Sequence, residues 1–415
     1  MMSSTQRVVL QQPALAAYRI APFKALAARP GIDLTVVYGS RPHSPPNVAP
    51  EGFEGKPWQQ RAITLIGQYL FWHQAQWHYA HPKRADVLIL SWNVRYLSLL
   101  RALLRARWHK LLVILWGHGY SKRERGWRAW LRDRVARLAS ALLLYNHTAA
   151  QRCIDAGWPR ERVFVALNSL DQAPIQQARD AWQRDPAALE QFREEHGLNP
   201  GPVLLFVSRL PPENRLDLLL HAVASLKNDY PDLKVVAISK GQAEMQRLRQ
   251  LAKTLGIDDR LIMPGAIYEE PKLAPWFLSA AVFCYPEKLG LSLLHAFGYG
   301  LPVITGERIE AQNPEIEAIE PGVNGLTYPA DDATALAQHL RELLRAPERR
   351  QRISRPPWER STTRLPYRRW PTALRQRFAG WPYTDQASRR AIRTNAACPR
   401  LNKIVIQSQP RSHHG

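Results

Sequence analysis

Short apolar runs alternate along this chain with longer stretches whose apolar residues recur every three or four positions, and the whole pattern occurs twice. In the first half, runs at residues 8–10, 34–38, 87–90, 111–116, 141–145 and 163–167 have the length and content of buried strands. Segments 14–28, 96–107 and 127–138, between them, carry a helical period. After Asn199-Pro200-Gly201-Pro202 the alternation restarts, with strands expected at 203–207, 235–239, 261–264, 281–285, 302–305 and 325–328. Strand followed by helix, repeated, predicts parallel doubly wound sheets. The expected class is α/β, with two Rossmann-like domains (1–170 and 198–353) facing across a cleft. A polar helical connector fills 171–197, and the Pro-rich stretch 41–57 reads as a surface excursion. In such sheets ligands sit outside the carboxyl ends of the strands.

Charge divides the chain differently. Between Arg355 and Gly415, thirteen Lys and Arg stand against Glu359 and Asp385, so half of the formal excess of +22 lies in this stretch. Apolar periodicity stops at the same place. Residues 354–415 therefore read as a basic Pro/Arg-rich tail without a core, or as a stretch translated out of frame after about Ile353. Cys153, Cys284 and Cys398 are far apart and offer neither a disulfide framework nor a metal spacing, which suits a reducing compartment. No secretory pattern opens the sequence, and its apolar runs are shorter than the roughly 20 residues of a membrane-spanning helix. These signs lead us to expect a cytoplasmic protein, with peripheral contact at the inner membrane face. Gln11-Gln12-Pro13 follows the first strand, so no glycine-rich dinucleotide loop is present. No aromatic RNA motif or Cys/His finger supports nucleic acid as a partner.

The chemistry gathers at the ends of strands. From Cys284 to Pro302 the sequence reads as a strand end, a loop with Glu287 and Gly290, and a helix that opens near Leu291 and Ser292 and holds His295. The first amides of a helix have no partner within it and favour anions. Ser208-Arg209 follows the first strand of the second half, and Asn214-Arg215 comes five residues on. Lys240 follows another strand, and Glu315 lies in Asn313-Pro314-Glu315. In the first half, Trp116-Gly117-His118-Gly119 ends a buried run, with glycines that would let a ligand approach His118 closely. The stretch from Arg123 to Leu144 combines Trp127, Trp130 and Leu131 with Arg128, Arg132, Arg134 and Arg137, a composition suited to an anionic membrane surface as well as to a helix on its own sheet.

The segment from Cys284 to Pro302 resembles the nucleotide-sugar motif of retaining glycosyltransferases of the GT-B kind, family 4. That family has Glu, seven residues, Glu, and then Gly-Leu-Pro. Here Glu287 is followed after seven residues by His295, and then by Gly300-Leu301-Pro302. The resemblance implies that Glu287 meets the transferred sugar and that His295 stands where a second acid meets the ribose. It implies that Arg209 holds the diphosphate, with Asn214 in the family's Lys position and Arg215 beside it. Gly290, Leu291 and Ser292 would form the phosphate-facing helix start. Lys240 and Glu315 would border the nucleotide, and His118 the sugar or acceptor. It further implies same-face transfer from a nucleotide-diphosphate sugar to a saccharide or lipid-linked acceptor, in surface polysaccharide or lipopolysaccharide assembly. No metal and no cofactor beyond the donor would take part. The rivals are a sugar-nucleotide epimerase or hydrolase on the same fold, and a non-catalytic basic protein that binds anionic lipid or nucleic acid.

Overall fold

The structure, a computed structural model, describes residues 5–39, 47–65, 68–120 and 126–353. Two parallel sheets organise them. The first has the order β3-β2-β1-β6-β7-β8-β9. Its strands are β1 Gln6–Gln12, β2 Ile32–Tyr38, β3 Glu54–Pro57, β6 Val87–Ser91, β7 Leu112–Gly117, β8 Ala141–Leu144 and β9 Val163–Val165. An antiparallel hairpin, β4 Gln60–Leu65 and β5 Gln68–His73, stands apart from it. The second sheet has the order β12-β11-β10-β13-β14-β15. These strands are β10 Val203–Val207, β11 Lys234–Ile238, β12 Leu261–Gly265, β13 Val282–Cys284, β14 Val303–Gly306 and β15 Gly325–Tyr328. Every pairing in both sheets is parallel. Parallel strands are covered on both faces, which is why β6 and β10 read as unbroken apolar runs.

The helices of the first half are α1 Ile20–Ala27, α2 Gln74–Tyr79, α3 Leu97–Trp108, α4 Trp127–Ala136 and α5 His147–Asp155. Those of the second are α6 Ala173–Gln183, α7 Pro186–Glu195, α8 Leu216–Leu226, α9 Gln242–Leu255, α10 Glu270–Ser279, α11 Ser292–Gly298, α12 Ala333–Arg345 and α13 Pro347–Ile353. Each sheet has its own apolar core. One centres on Leu88, Leu103, Leu115 and Leu142, and the other on Phe206, Phe277, Phe283 and Phe297.

Three stretches carry more structure than the pattern of apolar residues reports. The stretch read as a helical connector folds as α6 and α7, which pack on α10 and α11 of the second half. Ile175 and Ala178 enter that core, and the Trp182 ring N–H donates to the Pro271 carbonyl at 2.9 Å. The described part of the Pro-rich excursion ends in β3, an edge strand whose pairing with β2 uses backbone groups that sequence periodicity does not report. The polar-looking α5 forms because Asn146, in extended conformation, accepts the Ala149 amide at 3.0 Å. Its buried face is made of Ala149, Ala150 and Cys153, residues too small to register as an apolar stripe.

Candidate functional site

In the second sheet the chain leaves β10 toward β11 and leaves β13 toward β14, so the carboxyl ends of β10 and β13 flank its switch point. Ser208 and Arg209 follow β10; Tyr285, Pro286 and Glu287 follow β13. A buried knot ties these loops together. The Tyr285 hydroxyl lies 2.7 Å from Ser208 Oγ. Asn214 Nδ2 donates to that hydroxyl at 2.8 Å, to the Arg209 carbonyl at 2.8 Å and to Ser208 Oγ at 3.3 Å. The Glu287 amide reaches the Asn214 carbonyl at 3.2 Å. Burial pushes the Tyr285 hydroxyl up to about 12, against the opposing pull of the Ser208 bond and the Arg209 charge. Asn214, 4% exposed, thus spends its amide on the protein, while the Arg209 side chain is exposed.

A chain of charges runs along the rim. Arg215, in left-handed backbone conformation, bonds Asp217 through Nε at 3.2 Å and also meets Asp331. Arg308 Nη2 then links Asp331 at 2.7 Å to Glu287 Oε1 at 2.9 Å. Hydrogen bonding to Arg308 holds the Asp331 carboxyl below its ordinary range. The Glu287 side chain is 13% exposed, and its partner is Arg308 rather than the adjacent Lys288, which pairs with Glu213 at 3.6 Å. Nothing in the sequence around Arg308 singles it out. Gly290 has an ordinary φ, and a Cβ added there would approach nothing closer than 3.9 Å. The protein's own packing does not require glycine at that point. Gly290, Leu291 and Ser292 form the entry to α11, and Gly300, at φ 73°, ends it as a left-handed helix stop.

His295 and Glu287 have separate partners. The His295 ring Nε2 lies 3.2 Å from Glu270 Oε2, and the Tyr299 hydroxyl donates to Glu270 Oε1 at 2.6 Å. Burial pushes the Glu270 carboxyl up, but the His295 and Tyr299 bonds outweigh it and hold the group below its usual range. Glu270 opens α10 after β12, so a carboxylate stands one contact from position 295 even though that position carries imidazole. Lys240 is exposed after β11, and Ser239 Oγ donates to its carbonyl at 3.2 Å.

The first half brings aromatic groups to the same crevice. His118 is exposed after β7, its ring 4.7 Å from that of Tyr145. Arg19, 4% exposed, donates to the Tyr145 hydroxyl at 3.1 Å and lies 4.4 Å over the Trp116 ring. Glu315 accepts from Asn168 Nδ2 at 2.8 Å. Burial raises its carboxyl, and the Asn168 bond and the Arg19 charge partly offset this. The Glu315 charge adds to the upward shifts that burial gives the Tyr145 and Tyr285 hydroxyls. Nearby, Glu317 accepts from the His147 and Thr148 amides at 2.6 and 2.7 Å, taking the start of α5. Arg19, Tyr145, Asn168 and Glu270 carry no motif and become visible only in the fold. The glycines beside His118 have an internal cause. A Cβ at Gly117 would lie 2.9 Å from the Trp92 Cβ, and Gly119 holds φ 75°.

On α4, Trp130 and Leu131 are exposed while Val135 and Ala136 face the core. Residues 121–125, including Arg123, and the basic stretch 354–415 lie outside the described residues. Among the described residues no helix is long and apolar enough to cross a membrane, and no three His, Cys, Asp or Glu gather as a metal site.

Residues 189–356, which contain Arg209, Glu287, His295 and Glu315, match the model of the family described as Glycosyl transferases group 1. Through this segment the chain is similar to the group 1 glycosyltransferases. It is 29% identical over 196 residues to a GDP-mannose-dependent alpha-(1-6)-phosphatidylinositol monomannoside mannosyltransferase of Mycolicibacterium smegmatis, covering 45% of this chain and 50% of that protein. It is 35% identical over 183 residues to a D-inositol 3-phosphate glycosyltransferase of Frankia alni, covering 41% and 43%. The chain spans about half the length of the curated relatives it matches. Its fold is similar to that of Anabaena HepE, crystallised in complex with UDP, with a TM-score of 0.66 at 15% identity over 91% of this chain and 100% of the other. The chain thus has the expected GT-B fold, built on two doubly wound parallel sheets.

Proposed function

We propose that this chain is a retaining, metal-independent glycosyltransferase that moves a sugar from a nucleotide-diphosphate sugar to a saccharide or lipid-linked acceptor. The observation that carries the reading is the convergence of Arg209 and Glu287 on the switch point of the second sheet, within the family-matched segment. As the glycosidic bond lengthens, negative charge grows on the leaving diphosphate, and the exposed Arg209 fork is suited to two of its oxygens. Positive charge grows at the anomeric carbon, and the Glu287 carboxylate steadies it while accepting from sugar hydroxyls. The acceptor hydroxyl attacks from the face that the diphosphate leaves, and a diphosphate oxygen takes its proton. In this reading His295, oriented by Glu270, faces the ribose. His118 lies toward the sugar and acceptor, and Lys240, Glu315 and Arg215 border the nucleotide. The names of the relatives, one using GDP-mannose on a phosphatidylinositol mannoside and one acting on inositol phosphate, support a sugar acceptor, including one carried on lipid. Work at a membrane face in surface polysaccharide or lipopolysaccharide assembly fits that acceptor class.

Calorimetry with UDP, GDP and ADP, each alone and as the sugar conjugate, tests the site before any acceptor is known. One of the three should bind, and Arg209→Ala should weaken it about tenfold or more, a charge-assisted pair contributing ~1.5–3 kcal/mol. Absence of binding by all three would favour a non-catalytic scaffold. That reading draws on the intramolecular ion pairs of Glu287 and Arg215.

A further inference from the structure

α3 is apolar on two faces. Leu99, Ala102, Leu103 and Ala106 enter the core of the first half, as a sheet-covering helix requires. Leu97, Leu100, Leu104 and Trp108 point the other way and are 44%, 42%, 51% and 85% exposed. At 100° per residue these four fall within an arc of about 80°, with Arg101 and Arg105 along one border and Arg107 along the other. The patch extends past the helix. Arg101 lies 5.3 Å over the Trp72 ring and Arg105 lies 4.4 Å over that of Trp77, itself 44% exposed. On the hairpin, Arg61, Ile63 and Trp72 share one face, and Ile63 is 46% exposed. Of the twelve large apolar side chains exposed among the described residues, seven fall between Ile63 and Trp108. Such clustering is not scatter, and a contiguous apolar patch with a polar border marks a contact surface.

Charge selects the partner. From Gln59 to Tyr120 the sequence has eight Lys and Arg and one acid, Asp86, which Arg7 engages at 2.7 Å. Among the described residues none of Arg101, Arg107 and Lys110 pairs with a carboxylate. A Leu/Trp strip with a guanidinium border matches a bilayer interface, where apolar side chains enter the acyl boundary and the Arg remain among anionic headgroups. We infer that the outward face of α3, with the neighbouring β4-β5 face, docks this protein on an anionic lipid bilayer. It belongs to a different helix from α4, and it runs from the carboxyl end of the first sheet, where α3 begins, along that helix. A lipid-linked acceptor would then meet the crevice from the membrane on which the protein rests. That consequence depends on the proposed transferase activity, whereas the docking itself does not.

The test uses the full chain and vesicles of phosphatidylcholine with or without 30% phosphatidylglycerol. Leu104→Glu with Trp108→Ser alters exposed positions only, so the thermal midpoint and nucleotide binding should hold. Partition onto anionic vesicles should fall about tenfold or more. Arg101→Gln with Arg107→Gln should lower it and flatten its dependence on salt. A polarity-sensitive dye on Trp108→Cys should shift to the blue with anionic vesicles and not with neutral ones. The inference is overturned if the apolar variant binds vesicles as the parent does, which would place the anchor in α4 or in the basic stretch after Ile353. It is also overturned if the parent sediments as a dimer without lipid and the variant as a monomer, which would make a second copy the occupant. If vesicles bind this face but no nucleoside diphosphate binds the crevice, the docking stands and the transferase reading fails.

Discussion

Replacing Glu287 by Gln keeps the shape of the side chain and removes its charge, so it isolates the role proposed for that carboxylate. In the structure the group does one visible thing: it accepts from Arg308 at 2.9 Å. Arg308 is half exposed and also holds Asp331 at 2.7 Å, so losing Glu287 leaves the guanidinium partnered and in contact with solvent. An exposed pair of this kind adds little to stability, and a thermal midpoint within about 2 °C of the parent is expected. The chemical effect should be far larger. A preorganised charge facing the forming oxocarbenium in a crevice is worth ~2.7 kcal/mol or more, about a hundredfold in rate. The assay is release of nucleoside diphosphate from whichever donor calorimetry identifies, with and without candidate acceptors. Arg308→Gln is the control, since it breaks the same ion pair and leaves the carboxylate in place. If Glu287 acts on the sugar, Glu287→Gln loses about a hundredfold and Arg308→Gln much less. Equal losses in the two variants would show that the pair only shapes the loop, and unchanged turnover in Glu287→Gln would exclude the catalytic role.

Two further substitutions separate architecture from chemistry. Asn214→Ala removes three hydrogen bonds from a buried knot and leaves the Tyr285 hydroxyl and the Arg209 carbonyl short of a donor, so a loss of about 2–3 kcal/mol is expected in denaturant titration; a change within experimental scatter would refute the knot. Glu315→Gln should be stabilising at neutral pH, because the folded state raises the pKa of this carboxyl and ionising it there opposes folding, while the Gln carbonyl can still accept from Asn168. Above the folded pKa the parent bears the full penalty, and as pH falls toward the ordinary Glu value the penalty disappears. The midpoint difference between variant and parent should therefore be largest near pH 7–8 and vanish on acidification; a difference that grows with acid would reverse the argument.

The division into two doubly wound halves was legible because parallel strands, covered on both faces, leave unbroken apolar runs. The runs expected at 203–207 and 325–328 coincide with β10 and β15 to the residue. The hairpin at 60–73 was not, since it lies outside both sheets and its side chains, including Ile63 and Tyr69, are in part exposed. Arg209 and Glu287 could be named in advance because each sits directly after a strand end, where chain order and position in space coincide. Glu270 could not be. Its link to His295 joins residues 25 apart through two helices that start after the carboxyl ends of β12 and β13, and no local pattern records such a meeting.

The same reasoning explains why the substituted motif positions mislead when read singly. Asn214 and His295 look like losses if each is judged by the charge it fails to carry. In the fold, Asn214 fixes the distance between the Arg209 and Glu287 loops, and a Lys there would bring a cation into a site that is 4% exposed and already filled by hydroxyls and a carbonyl. His295 has a carboxylate within 3.2 Å, so the acidic character of that corner is carried by Glu270. What a crevice offers a ligand is set by the groups that converge on it, whichever element supplies them. A test of position 295 should therefore vary Glu270 together with it.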